Sequence, residues 1–143
     1  MANDPNPYGN YYFVLELDNT EVGHFMECSG LKSAAQVFEI EEGGLNGRTH
    51  KRPGQSRWEN VVLRYATNTS MRLLEWRDKF IQDQFSERLD GSITLMNNSG
   101  QPVRRWSFKN AWPVSWEGPT LKAGESELAI ETLEIAHEGL AVN

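Results

Sequence analysis

Tyr11-Tyr12-Phe13-Val14-Leu15-Glu16-Leu17-Asp18 is the stretch that decides the fold. Tyr11, Phe13, Leu15 and Leu17 fall on one side of an extended chain, with Tyr12, Val14, Glu16 and Asp18 on the other, as a half-buried strand requires. Asp18-Asn19-Thr20 supplies turn chemistry and Glu21 to Glu27 reads as the return strand, so regular structure begins with a β-hairpin. Ahead of it, residues 1–10 contain Pro5 and Pro7, which fix φ and remove two backbone donors; an extended arm is expected there.

The alternation recurs down the chain. Gln36 to Glu42 sets Phe38 and Ile40 against Val37, Glu39 and Glu41, and Trp58 to Tyr65 sets Val61, Leu63 and Tyr65 against Asn60, Val62 and Arg64. Residues 43–57 between them hold four glycines, Pro53, the cations Arg48, Lys51, Arg52 and Arg57, and no acid, and read as a long basic loop. Ser70 to Phe85 is the one helical pattern: Leu73, Trp76, Arg77, Phe80, Ile81 and Phe85 recur near its period, with Glu75 and Lys79 a favourable i, i+4 pair. Leu73, Trp76, Phe80 and Ile81 are expected to pin this helix to the sheet, with Thr69 or Ser70 as its cap.

Asp90-Gly91 then turns into a strand through Ile93 and Leu95, and Asn97-Asn98-Ser99-Gly100 is a tight turn into Val103 to Asn110. Pro113 implies a bulge or an edge. Leu128 and Ile130 have the opposite parity to Leu133 and Ile135, which predicts a bulge near Glu131 or Thr132. The expected architecture is one domain over residues 1–143, mainly antiparallel β in a sandwich or barrel with one packed helix.

Composition narrows the function. Fourteen Lys and Arg against twenty Asp and Glu give a net charge of −6, which argues against general affinity for a phosphate backbone. Cys28 is the only cysteine, so neither an intrachain disulfide nor a Cys-rich zinc site is available. The start of the chain lacks the basic and apolar segments of a signal peptide, and a soluble protein made in the cytosol is expected.

Catalysis needs acid, base or nucleophile groups brought together, and His24, His50, His137 and Cys28 show no catalytic spacing. A lone cysteine at a strand end is more often a small buried hydrophobe. Gly43-Gly44-Leu45-Asn46-Gly47 lacks the Gly-Lys-Ser/Thr ending and the following helix of a phosphate loop. Trp106, Trp112 and Trp116 read as core or subunit interface, and the glutamates at 125, 127, 131, 134 and 138 as a solvated or partner-facing surface. No catalytic residue, cofactor or metal is expected.

Several segments together carry a resemblance. Asn6-Pro7-Tyr8, Glu21-Val22-Gly23 with Cys28-Ser29-Gly30-Leu31, Glu41 to Gly44 before Lys51-Arg52-Pro53-Gly54, Trp76-Arg77-Asp78, Asp90 to Ile93, Trp106 to Gly118 and Ile130 to Leu140 resemble the tail tube proteins of contractile phages and phage-tail-like injection systems. The resemblance implies a β-rich subunit forming hexameric rings that stack into a hollow tube and carry no active site. It implies as partners a sheath protein, baseplate, spike and tube-terminating proteins, and protein cargo or DNA in the lumen. Such a particle is assembled in the cytoplasm.

Within that frame, Gly47, Arg48, Lys51 and Arg52 are the expected ring-stacking contacts, facing the acidic stretch 123–143 of a neighbour. Glu16, Glu39 and Glu41 are the lumen-facing candidates. An injection system is favoured because Asn110-Ala111-Trp112-Pro113 and the carboxyl-terminal motif resemble those tubes most closely. The alternatives are a phage tube conducting DNA and, from another class, a monomeric β-barrel with an apolar pocket for a small ligand.

Overall fold

The opening alternation forms strand β1 (Tyr12–Leu17) in the computed structural model, which describes residues 11–41, 49–67, 71–124 and 129–143. Asp18 and Asn19 take φ of 51° and 61°, the left-handed pair that a two-residue hairpin turn demands, and lead into β2 (Thr20–Phe25). After a bend at Met26 come β3 (Glu27–Ser29), β4 (Ser33–Glu41), β5 (Thr49–Trp58) and β6 (Val61–Ala66). Helix α1 (Arg72–Gln82) is followed by β7 (Leu89–Met96), β8 (Pro102–Glu117), β9 (Ile130–Ala136) and β10 (Leu140–Val142).

Two long segments serve both layers of the main sheet, whose order is β2-β1-β7-β8-β9-β6-β3. β8 takes β7 along one edge, and along the other β10 and then β9: Leu140 faces Phe108 and Ala136 faces Trp112. At the handover Asn110 has a φ of 51°, Asp90 Oδ1 accepts its N–H at 3.0 Å, and its Nδ2 donates to Glu138 Oε2 at 2.7 Å. β8 therefore turns a corner there. β2 and β3 make the second crossing, since β2 pairs with β1 and β3 with β6, with Met26 N–H donating to Arg64 O at 2.9 Å. The antiparallel layers thus join at both ends into a barrel-like sandwich.

Leu15, Val61, Leu63, Leu133 and Ile135, of the predicted parity, fill the space between the layers together with Ile93 and Phe108. Leu15, Ile93 and Phe108 come from one side and Val61, Leu63, Leu133 and Ile135 from the other, each at most 2% exposed. Phe25 meets Tyr65 edge-on at 5.3 Å. Leu73, Trp76 and Phe80 of α1 cover the cluster, and the Phe80 ring stacks with Trp112 at 6.2 Å.

Four expectations change. The segment 43–57 is not a loop throughout: from Thr49 it is β5, paired with β4 over Ser33–Trp58 to Glu41–Thr49. Its glycine, proline and charge hid a strand that has no buried face. The helix begins at Arg72, with Met71 at the N-cap position and no side-chain cap, and ends at Gln82; Thr69 and Ser70 lie outside the described residues. Ile81 is 63% exposed because it stands about a quarter-turn away from the line of Leu73, Trp76 and Phe80. The predicted bulge is not in β9, which pairs with β6 without a break from Ala66–Ile130 to Val61–Ile135; the irregularity is on β8 between Pro113 and Ser115. Leu128 and residues 1–10 lie outside the described residues.

Candidate functional site: an arm and a polar sheet face

Alternation places Phe38, Ile40, His50 and Arg52 on one face of the β4–β5 ribbon and Val37, Glu39, Glu41, Thr49, Lys51 and Pro53 on the other. Phe38 stands opposite Arg52 and Ile40 opposite His50, while Glu39 stands opposite Lys51 and Glu41 opposite Thr49. Lys51 therefore has an acid across the ladder, contrary to the reading of an isolated basic loop, and Arg52 does not. Gly54 is required locally: a Cβ there would come within 2.6 Å of the Phe38 ring.

Among the described residues the two strands pair only with each other; Phe38 and Ile40 on one face remain 52% and 40% exposed, and Val37 on the other 57%. An isolated two-stranded ribbon is marginally stable in water, and clustered exposed apolar side chains mark an interaction surface. Of the four expected stacking residues the ribbon, an arm off the main sheet, presents Lys51 and Arg52; Gly47 and Arg48 lie outside the described residues.

The outward face of β2-β1-β7-β8 is polar. Register sets His24, Val14, Thr94 and Arg105 in one row and Glu21, Glu16, Ser92 and Ser107 in the next, with Val14, Ser92 and Thr94 buried among their larger neighbours. Arg105 donates to Glu16 Oε2 at 2.9 Å across these rows. A depression of about 490 Å³ on this face is lined by residues including Glu16, Thr94, Met96, Arg104 and Arg105. The three lumen candidates are not on one sheet: Glu16 belongs to this face, Glu39 and Glu41 to the arm.

The acidic carboxyl-terminal stretch is partly engaged within the subunit. Glu134 accepts from Asn60 at 2.9 Å, and Glu138 accepts from Arg88 at 3.1 Å as well as from Asn110. Burial and the nearby Glu131 push the Tyr65 hydroxyl up, and Trp116 Nε1 donates to that hydroxyl at 3.2 Å. Trp112 and Trp116 pack against the core, as core or interface tryptophans should. The Arg105 and Arg88 pairings were not readable from spacing, because each joins residues far apart in sequence.

The described residues include no group of three His, Cys, Asp or Glu side chains placed to hold a metal, and no helix long and apolar enough to cross a membrane. Burial pushes the Cys28 thiol up to about 11 from 9.0. Only the thiolate is nucleophilic, so iodoacetamide at pH 8 should label Cys28 in the folded subunit about 100-fold more slowly than in denatured protein. Equal labelling rates, followed by mass spectrometry, would contradict this packing.

A sequence model of the family described as T4-like virus tail tube protein gp19 matches residues 9–141. A chain in the cryo-EM structure of an extracellular contractile injection system, the PVC sheath–tube complex in its extended state, is 25% identical. The match covers 96% of this chain and 90% of that one, with a TM-score of 0.79. A chain in the anti-feeding prophage cap (AFP tube terminating cap) is 26% identical over 100% of this chain and 94% of that one, with a TM-score of 0.80. Hcp1 from Flavobacterium johnsoniae shares the fold at 16% identity, covering 92% of this chain and 94% of that one, with a TM-score of 0.56. No curated protein matches the chain.

Proposed function

The chain belongs to the T4-like virus tail tube protein gp19 family and is a tail tube subunit, and from that premise we propose that it builds the inner tube of a contractile injection system. Six copies close a ring and rings stack head to tail into a conduit that a contracting sheath drives forward. Head-to-tail stacking is a heterologous interface that grows until it is capped. The observation that carries this reading is agreement along nearly the whole chain with chains of sheath–tube, baseplate and cap assemblies. A sheath protein, baseplate and spike proteins and a terminating protein are the partners, and the role is structural rather than enzymatic. The particle is assembled in the cytoplasm.

The arm is the stacking element, through Gly47, Arg48, Lys51 and Arg52, and its apolar face supports that role. The outer edge of β10, unpaired among the described residues, is suited to extend the sheet into the next subunit of a ring. The polar face holding Glu16 is assigned to the lumen, with Glu39 and Glu41 from the arm. Glu16 meets Arg105 and Glu39 stands opposite Lys51, while Glu21 opposite Glu16 and Glu41 opposite Thr49 face no cation across the ladder, so these residues stay negative, with two of the four acids offset. The family description favours one second reading, a phage tube conducting DNA.

Negative-stain microscopy of the purified protein should show six-fold rings or tubes. A stable monomer in sedimentation at every concentration and salt would overturn the proposal. A cryo-EM map of the tube then locates Glu16, Glu39 and Glu41, and finding them on the outer surface would refute the lumen assignment.

A further inference from the structure

The arm leaves the barrel at the corner where β9 gives way to β10. Its outgoing leg is Gly30–Lys32 and its returning leg Trp58–Asn60. Glu59 N–H donates to Lys32 O at 3.0 Å, which ties the legs together. Gly30 has a φ of 87°, and a Cβ there would lie 1.9 Å from Asn60 O, so only glycine lets the legs cross this closely.

His137 joins this crossing to the barrel. Gly139 N–H donates to His137 Nδ1 at 3.1 Å. A backbone N–H can only donate, so Nδ1 is the acceptor and the ring proton sits on Nε2, which donates to Glu59 O at 3.0 Å. Both nitrogens of a neutral ring are thereby used, one on the arm's returning leg and one on the β9–β10 turn. The Trp58 and Phe108 rings lie 6.1 and 6.4 Å from it, one on the arm and one on the barrel.

We propose that His137 is the positioning residue of the arm: its neutral ring fixes the direction in which the ribbon leaves the barrel, and a proton on Nδ1 releases it. The inference rests on the arm being the stacking element. A protonated Nδ1 would face Gly139 N–H donor to donor; Nε2–H keeps its bond to Glu59 O, but the ring loses the bond that fixes its orientation on the β9–β10 turn, so the leg it holds is no longer pinned to the barrel. The charged residues of the surrounding segments are Lys32 and Glu59 on the legs, Glu134 on β9, Glu138 in the turn, Lys109 on β8 and Arg88 ahead of β7. Glu134 is bonded to Asn60, and Glu138 to Arg88 and Asn110; both of the ring's own hydrogen bonds go to backbone.

Burial lowers the His137 pKa, against the raising effect of the bond from Nε2–H to Glu59 O; the bond that Gly139 N–H donates to Nδ1 favours the neutral ring and acts in the same direction as burial. The sign follows. With a folded value below the unfolded one, at about 6.5, the unfolded chain binds more protons, so the latch is intact at pH 7.5 and loses stability as pH falls below that value.

The test uses the full chain with Cys28→Ser and spin labels at Glu41→Cys on the arm and Asp83→Cys beside the helix. The distance distribution between labels should be narrow at pH 7.5 and broad at pH 5. His137→Phe should make it broad at both, and speed exchange of the Gly139 amide about tenfold or more at pH 7.5. His137→Gln, which keeps a donor and an acceptor but cannot be protonated, should keep it narrow at both. Tubes of unlabelled protein should be long or lost in the same pattern. Unchanged distances and Gly139 exchange in His137→Phe, or acid broadening in His137→Gln equal to wild type, overturn the proposal. If wild type forms no tubes at either pH while the labels follow this pattern, the stacking role fails and the positioning role stands.

Discussion

Replacing residues 34–57 by a short Gly-Ser linker should give a folded subunit that forms no long tubes. Among the described residues the arm contributes no side chain to the buried cluster, and its strands pair only with each other. Its legs already meet at Lys32 and Glu59, 3.0 Å apart, so a short linker can close the gap without moving the barrel. The unfolding midpoint should change little. Stacking should fail completely, because the exposed Phe38 and Ile40 and the Arg52 beside Phe38 go with the arm. Single rings are the expected product. Tubes of wild-type length from this variant, seen by negative stain, would rule the arm out as the stacking element. Arg52→Glu is the gentler version: it keeps the ribbon and reverses one charge, so it should shorten tubes without unfolding anything.

The largest stability loss is expected at Trp76. Its side chain is 6% exposed, and with Leu73 and Phe80 it joins the helix to the barrel core. Trp76→Ala should cost about 3–5 kcal/mol, the range for emptying an aromatic site in a packed core. Trp76→Phe should cost clearly less than its lost volume suggests. Trp76 Nε1 is buried without a hydrogen-bond partner, and removing an unsatisfied donor returns about 1–3 kcal/mol. Ile81→Ala, on the exposed flank of the same helix, should shift stability by no more than about 0.5 kcal/mol. Urea unfolding of the three variants checks the set. Equal losses for Trp76→Ala and Ile81→Ala would mean that the helix is not seated on the Trp76 face.

The sequence was legible wherever a strand or helix has one buried face. Parity found Leu15 and Leu17, Val61, Leu63 and Tyr65, and Leu133 and Ile135, and helical spacing found Leu73, Trp76 and Phe80. Turn chemistry found the hairpins: Asn97 Oδ1 accepts the amides of Ser99 and Gln101 at 3.0 and 2.9 Å. β5 was missed because pairing with β4, rather than burial, makes it a strand; its partner β4, equally exposed, still alternates apolar and acidic residues, whereas Gly54, Pro53 and the cations of β5 show no such period. Ile81 was misplaced because a helical period read loosely admits a flank residue. The site was legible only in outline. Lys51 and Arg52 were singled out for charge, but Glu39 opposite Lys51 depends on register, and His137 on a tautomer set by two backbone groups distant in sequence.

The long strand β8 also orders events in time. The β7–β8 hairpin is local, closed by its tight turn, and β9 and β10 then meet β8 in chain order. β1 must instead wait for β7, a partner made only after the arm, β6 and the helix. Such distant pairing bears its loop-closure entropy before any contact rewards it and is slow. The β6–β9 seam closes later still, because β9 follows β7 and β8 in the chain, so it is the last of these distant seams. On a ribosome, a nascent chain lacks the closed β6–β9 seam until nearly all of it has emerged, so a growing chain offers no finished barrel to a neighbour.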